Sequence, residues 1–189
     1  ELIKILQVRN IDSFVESRRQ KTSEKDRKTV QSILNDVKRN GDSAVKKYER
    51  KFNGRKTSQL RVSAKEIKEA RSKIGTKTRS AIRRADSALF ASDVDLRRWV
   101  EGFTNQHYSW VLKQSFIPIP SVGCYIPGGQ ARYPSSVAMS VVLAKLVDVK
   151  RIVVISPPGP DGKIDPLTIA AAKRCGATEI YKVGGAQAI

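Results

Sequence analysis

In the first part of the chain, apolar residues recur at the spacing of one helix face. Val30, Ile33, Leu34 and Val37 fall at i, i+3, i+4 and i+7 behind Ser23 and Asp26, a pair able to cap a helix start, and Asn40-Gly41 stops the run. Asp42 and Ser43 can open a shorter helix that buries Ala44, Val45, Tyr48 and Phe52 and ends at Asn53-Gly54. Ser63 with Glu66 reads as a capping box ahead of Ile67, Ala70 and Ile74, up to Gly75. From Thr76 a longer helix is predicted, with Ala81, Ile82, Ala85, Leu89 and Leu96 inward and Lys77, Arg79, Arg83 and Arg84 outward.

Near Tyr108 the period changes. Tyr108, Trp110 and Leu112 alternate, and Ile117, Ile119 and Val122 are interrupted by Pro118 and Pro120, which suits an extended, edge-like stretch. Three apolar runs then read as buried strands: 122–126, 151–156 and 179–183. Between them, Pro134-Ser135-Ser136 opens a helix that is apolar almost all round, and Asp165-Pro166 opens another that ends at Gly176. Strand and helix alternating at this spacing predict a Rossmann-like parallel α/β unit over residues 116–189, preceded by a mostly helical region over residues 1–115. Ligands bind such sheets at the carboxyl ends of the strands.

Composition narrows the class. With 40% hydrophobic and 29% charged residues among 189, the chain has the make-up of a globular protein rather than a collagen-like, low-complexity or disordered one. No stretch approaches the ~20 apolar residues of a membrane span, and the opening ELIKILQVRNIDSFVESRR lacks the apolar core of a signal peptide. Cys124 and Cys175 form no metal or redox spacing, so two reduced, buried thiols in a cytoplasmic protein are expected. His107, the single histidine, has no neighbouring ligand and reads as a structural or surface residue, because zinc sites need at least three protein ligands. Net charge is +18, with most of the excess before residue 116 and basic clusters at 18–28, 46–56 and 71–84. A basic nucleic-acid-binding module without catalysis is therefore a second functional reading. It is the weaker one, since aromatics are scarce in that region, no base-reading motif occurs, and Lys and Arg ordinarily form solvated surface.

Three loops follow the predicted strands: Ile126-Pro127-Gly128-Gly129, Pro157-Pro158-Gly159-Pro160 and Gly184-Gly185-Ala186-Gln187. None matches GxGxxG or GxxxxGK[ST], and singly each is ordinary turn chemistry. In order, however, VGCYIPGGQARYPSSVAMSVVLAK, RIVVISPP and AAAKRCGATEIYKVGGAQAI resemble the NAD-dependent histidinol dehydrogenase family, as do GDSAVKKYERKFNG and RVSAKEIKEA earlier in the chain. The resemblance runs from about Thr22 to Ile189.

That resemblance implies two successive NAD-linked oxidations, alcohol to aldehyde to carboxylate, with histidinol as substrate, a zinc ion orienting it, and a homodimeric full-length enzyme. It places Tyr125 and Gln187 as NAD contacts. The family's zinc ligands, its acid/base histidine and glutamate and a further NAD-contacting asparagine lie beyond Gln187 in longer members, so no catalytic or metal-binding residue is assigned here. The chain is accordingly expected to be an N-terminal fragment, inactive alone, whose third strand leaves apolar sheet surface open. Asp161 and Asp165 are expected in turn and N-cap roles, and Ser135-Ser136 as helix caps able to face an anion.

Overall fold

A computed structural model describes residues 10–18, 23–54, 59–99, 102–128 and 132–189. Gly129 of the first strand-end loop, Lys4 and Arg9 of the opening segment and the side chain of Leu96 lie outside the described residues. The helices are α1 (Ile11–Arg18), α2 (Glu24–Asn40), α3 (Asp42–Asn53), α4 (Ala64–Ser72) and α5 (Thr76–Trp99). An antiparallel hairpin of β1 (Phe103–His107) and β2 (Trp110–Gln114) follows. Then come β3 (Ser121–Tyr125), α6 (Pro134–Leu146), β4 (Arg151–Ser156), α7 (Pro166–Cys175), β5 (Glu179–Lys182) and a 3-10 turn, Ala186–Ala188.

Local signals set most of these boundaries. Ser23 accepts from the Lys25 amide, and the Gly41 N–H closes the other end of α2 on the Val37 carbonyl. The capping box at α4 is formed in both directions, by the Glu66 amide to Ser63 Oγ and the Ser63 amide to Glu66 Oε2. Asp165 accepts from the amides of Leu167 and Thr168 at the start of α7. Two expected caps are absent: Gly41, not a side chain, precedes α3, and Tyr133 rather than a serine precedes α6, with no side-chain cap at either.

β3, β4 and β5 are parallel and lie side by side in sequence order, with Cys124 opposite Val154 and Val154 opposite Ile180. Side chains alternate between the two faces. Ile152, Val154 and Ile180 enter the large core with Val137, Val141, Ile169 and Ala172 of α6 and α7. Ile155 and Tyr181 face the other way and pack with Val37, Val45, Leu60 and Val183. One face of the sheet is thus covered by α6 and α7, and on the other Val37 of α2 and Val45 of α3 cover β4 and β5 while Ser121, Gly123 and Tyr125 of β3 stay exposed; α4 and α5 pack outside α6 and α7. The outer edge of β5 is occupied as well: the Val62 amide donates to the Ile180 carbonyl at 2.8 Å and the Lys182 amide to the Leu60 carbonyl at 2.7 Å. This corrects the expectation of an open apolar sheet beside β5. The helices read as a separate region supply the second layer that buried parallel strands require.

Several side chains expected in the core are exposed. Ala81 and Ala85 lie on the surface because α5 has a neighbour on one side only, so Ile82 and Leu89 alone reach the large core from its middle. Val30 is exposed in the first half of α2, and Phe52 lies half exposed against the Tyr48 ring, 5.8 Å between centroids. The alternation at Tyr108, Trp110 and Leu112 belongs to the hairpin, which is exposed along both strands. No described helix is long and apolar enough to cross a membrane.

Charged pairs tie the layers together. Lys182, nearly buried, reaches Glu66 Oε1 at 2.8 Å and so joins β5 to the capping box of α4. Burial raises the Glu66 carboxyl, but the hydrogen bonds from Lys182 and Ser63 outweigh it and hold the group below its usual value. Asp36 accepts from Lys47, Asn40 and Tyr48, which fastens α2 to α3 and lowers its pKa to about 2. Arg151 bridges to Glu179 at 2.7 Å, and with the Tyr181 hydroxyl it brings that carboxyl from 4.5 to about 2. All three folded-state values lie below those of the unfolded chain. The stability these groups contribute is thus complete above about pH 4.5 and is lost as the pH falls toward 2. We expect the urea midpoint to decline through that window, and Glu179→Gln to flatten the decline modestly because Arg151 stays half exposed. Urea titrations of both proteins from pH 6 down to about pH 2 check this; identical acid limbs would show that the Arg151 pair adds nothing.

Candidate functional site

All three parallel strands end on the same rim, and their loops close on Pro157. The Ile126 amide donates to the Ile155 carbonyl at 2.8 Å, extending the ladder one residue past β3. A Cβ on Gly128 would stand 2.7 Å from the Pro157 carbonyl oxygen, and one on Gly184 would stand 3.0 Å from the Pro157 ring. Any side chain at these positions would push the first and third loops off the second. Gly185 adds a positive φ of 64°, which turns the chain into the 3-10 turn carrying Gln187.

The structure brings Tyr125 and Gln187 to this rim from either side of β4. Tyr125 is 38% exposed, and its hydroxyl accepts from the Gly185 amide at 3.2 Å, so the end of β3 is latched to the loop after β5. Gln187 is only 4% exposed. Its Nε2 donates to Glu49 Oε1 at 2.8 Å, while its Oε1 has no partner among the described residues and lies close against Gly185. A buried acceptor left unpaired costs about 1–3 kcal/mol; a donor reaching it when the Gly185 turn shifts would recover that.

Glu49, a carboxylate within the basic run 46–56, is the residue that holds this loop. It is fully buried. Its Oε1 accepts from the Gly184 amide at 3.0 Å as well as from Gln187, and its Oε2 accepts from Asn53 Nδ2 at 2.9 Å. No lysine or arginine among the described residues forms an ion pair with it, so hydrogen bonds alone offset its burial. One signal was available: Glu49 stands four residues after Val45 and beside Tyr48, on the buried stripe of α3.

Beside these loops, between the ends of β3 and β4 and the start of α7, lies a crevice of about 310 Å³. The buried hydroxyl residues Ser156 and Thr168 line it, and Arg132 pairs with Asp165 at 3.1 Å across its mouth. Neither Tyr125 nor Gln187 lines the crevice. The first amides of α7 are occupied by Asp165, and the Asp161 carboxylate accepts from the Lys163 amide, which are the N-cap and turn roles expected of the two aspartates. Cys124 and Cys175 are buried, and burial pushes their thiols up, Cys175 to about 11, far from a thiolate nucleophile. His107 lies exposed in the hairpin, stacked on Trp110 at 5.3 Å. Among the described residues no three His, Cys, Asp or Glu side chains cluster as a metal site.

The family model for histidinol dehydrogenase matches residues 16–189. Histidinol dehydrogenase of Bacillus licheniformis is 43% identical over 169 residues, which cover 88% of this chain and 39% of that protein. The Methanosarcina mazei enzyme of the same name is 38% identical over 161 residues, covering 85% and 37%. A crystal structure of histidinol dehydrogenase from Elizabethkingia anophelis superimposes with a TM-score of 0.84 at 27% identity, over 95% of this chain and 42% of that one. The chain thus spans about 40% of the length of these proteins.

Glu49→Ala would leave the Gly184 amide and the Gln187 side chain without their acceptor, and we expect a loss of about 2 kcal/mol. Glu49→Gln retains one carbonyl oxygen and should lose less. Urea unfolding of the two variants checks this; an alanine variant as stable as the parent would mean that the loop is held by something else.

Proposed function

Since this chain belongs to the histidinol dehydrogenase family, we propose that it forms the N-terminal, cofactor-facing part of an enzyme that oxidises L-histidinol through L-histidinaldehyde to L-histidine. NAD, when bound, accepts a hydride at each of the two oxidations. In this reading Tyr125 and Gln187 hold the dinucleotide at the strand-end rim. The observation that carries it is the unpartnered, buried Gln187 Oε1 next to a half-exposed tyrosine. The Tyr125 oxygen already accepts from Gly185, which leaves its hydroxyl proton to donate, while Gln187 offers an acceptor. A ribose hydroxyl or a carboxamide, each both donor and acceptor, matches that pair. The Pro157-centred packing holds the strand ends, while the Gly185 turn shifts for a ligand donor to reach the buried Gln187 Oε1.

The described residues do not fit a zinc site, so no step here runs through the metal. The reading extends to a cytoplasmic homodimer, with the residues for proton transfer and for zinc outside this sequence, and to a chain that does not turn over histidinol by itself.

Calorimetric titration with NAD tests the assignment. We expect Gln187→Ala to weaken binding about tenfold, or ~1.4 kcal/mol, and Tyr125→Phe to weaken it less because the ring remains. Unchanged affinity in the Gln187 variant would remove the residue from the site. NADH formation from histidinol by the isolated chain, well above background, would contradict the inactivity.

A further inference from the structure

The basic run at 71–84 has no part in the strand-end rim, and the structure gives it a location. α4, α5 and α7 line a half-open cavity of about 570 Å³ that shares no lining residue with the strand-end crevice. Thr76, Arg79, Ser80 and Arg83 stand at i, i+3, i+4 and i+7 on α5, so one stripe of that helix forms a wall bearing two guanidinium groups and two hydroxyls. Arg71 of α4 faces the same space.

The cations around this cavity are not equivalent. Arg174 is already paired with Asp86 at 3.0 Å, and Lys173 donates to the carbonyls of Ala177 and Thr178 at 2.7 and 3.1 Å. No carboxylate among the described residues pairs with Arg71, Arg79 or Arg83, and the one side-chain partner of Arg79 is Thr76 Oγ1, at 3.4 Å. Arg79 and Arg83 are also like charges one turn apart, an arrangement that disfavours the helix unless an anion lies between them. α5 begins at this cavity, and its first turn carries no acidic residue to answer the partial positive charge of its free amides. Ile67 and Ile82, packed against the core, supply an apolar wall among these charges.

We propose that this cavity binds a small phosphorylated molecule with a flat apolar portion, of the nucleoside diphosphate class. Three uncompensated guanidinium groups and two hydroxyls match a diphosphate, and Ile67 and Ile82 match the face of a base. The volume is that of a small-ligand pocket. Arginine forks fit phosphate oxygens in pairs. The cations converge on one half-open space instead of following a line, which suits a compact ligand better than a nucleic-acid backbone.

Calorimetric titration of the full chain at physiological salt, with ADP, inorganic pyrophosphate and adenosine as probes, tests this. We expect one ADP per chain, and pyrophosphate and adenosine each weaker by about tenfold or more. An Arg79→Ala/Arg83→Ala double variant and, on the facing wall, Arg71→Ala should each weaken ADP by about tenfold, whereas Lys25→Ala/Arg39→Ala, an equal charge loss on α2, should leave it unchanged. Circular dichroism establishes that each variant is folded, and all five positions are exposed. The proposal is overturned if ADP does not bind, or if the cavity variants bind it as the parent does, the result expected of ADP seated at the strand-end loops. It is also overturned if both double variants weaken ADP equally, which would reduce the effect to net charge. Tight binding of single-stranded oligonucleotide that grows with its length, with ADP failing, would point to a nucleic-acid track instead.

Discussion

β4 must be covered on both faces, and the rest of the chain is arranged to do so. Its residues from Ile152 to Val154 are buried, and its neighbours are parallel strands that hide its edges. A parallel strand presents apolar side chains to both sides, so each side needs a layer. α6 and α7 supply one through the crossovers that parallel pairing demands. The other comes from α2 and α3, about a hundred residues earlier in the chain, with Leu60 to Val62 closing the edge of β5. The helical region and the α/β unit are thereby physically continuous.

The same dependence extends to the site. Its loops belong to the strands, yet the group that fixes the last of them is a carboxylate on α3. Burying Glu49 is tolerable because the Gly184 amide, the Gln187 amide and Asn53 satisfy its oxygens. The Gln187 side chain is oriented by that bond, which leaves its carbonyl oxygen as the open valence. Tyr125 reaches the same loop from β3, so the rim is built from three separate stretches of sequence, all converging on Pro157 and its glycine neighbours.

Charge is sorted by the fold as well. Most of the +18 excess lies before residue 116, but the structure uses its carboxylates selectively: Asp36 on Lys47, Glu66 on Lys182, Glu179 on Arg151 and Asp86 on Arg174. What is left unanswered includes the arginines facing the cavity between α4, α5 and α7. Set around one half-open cavity, these like charges converge on a common space instead of spreading over a surface.

The sequence by itself determined the elements and their polarity. Caps at Ser23, Ser63 and Asp165, stops at Gly41, Gly54 and Gly176 and the apolar runs of β3, β4 and β5 are local properties of the chain, and the motifs around Tyr125 and Gln187 are contiguous strings. Only the tertiary structure decided which helices cover which face, why Phe52, Ala81 and Ala85 stay outside, and that Glu49 is a buried anchor and not a surface charge. Periodicity says which side of a helix is apolar but not how wide a stripe its neighbours will cover. A carboxylate in a basic helix becomes an acceptor for a distant loop only when the amides of Gly184 and Gln187 are brought to it. That meeting is made by packing across the sheet, over a separation of 135 residues or more that local pattern does not span.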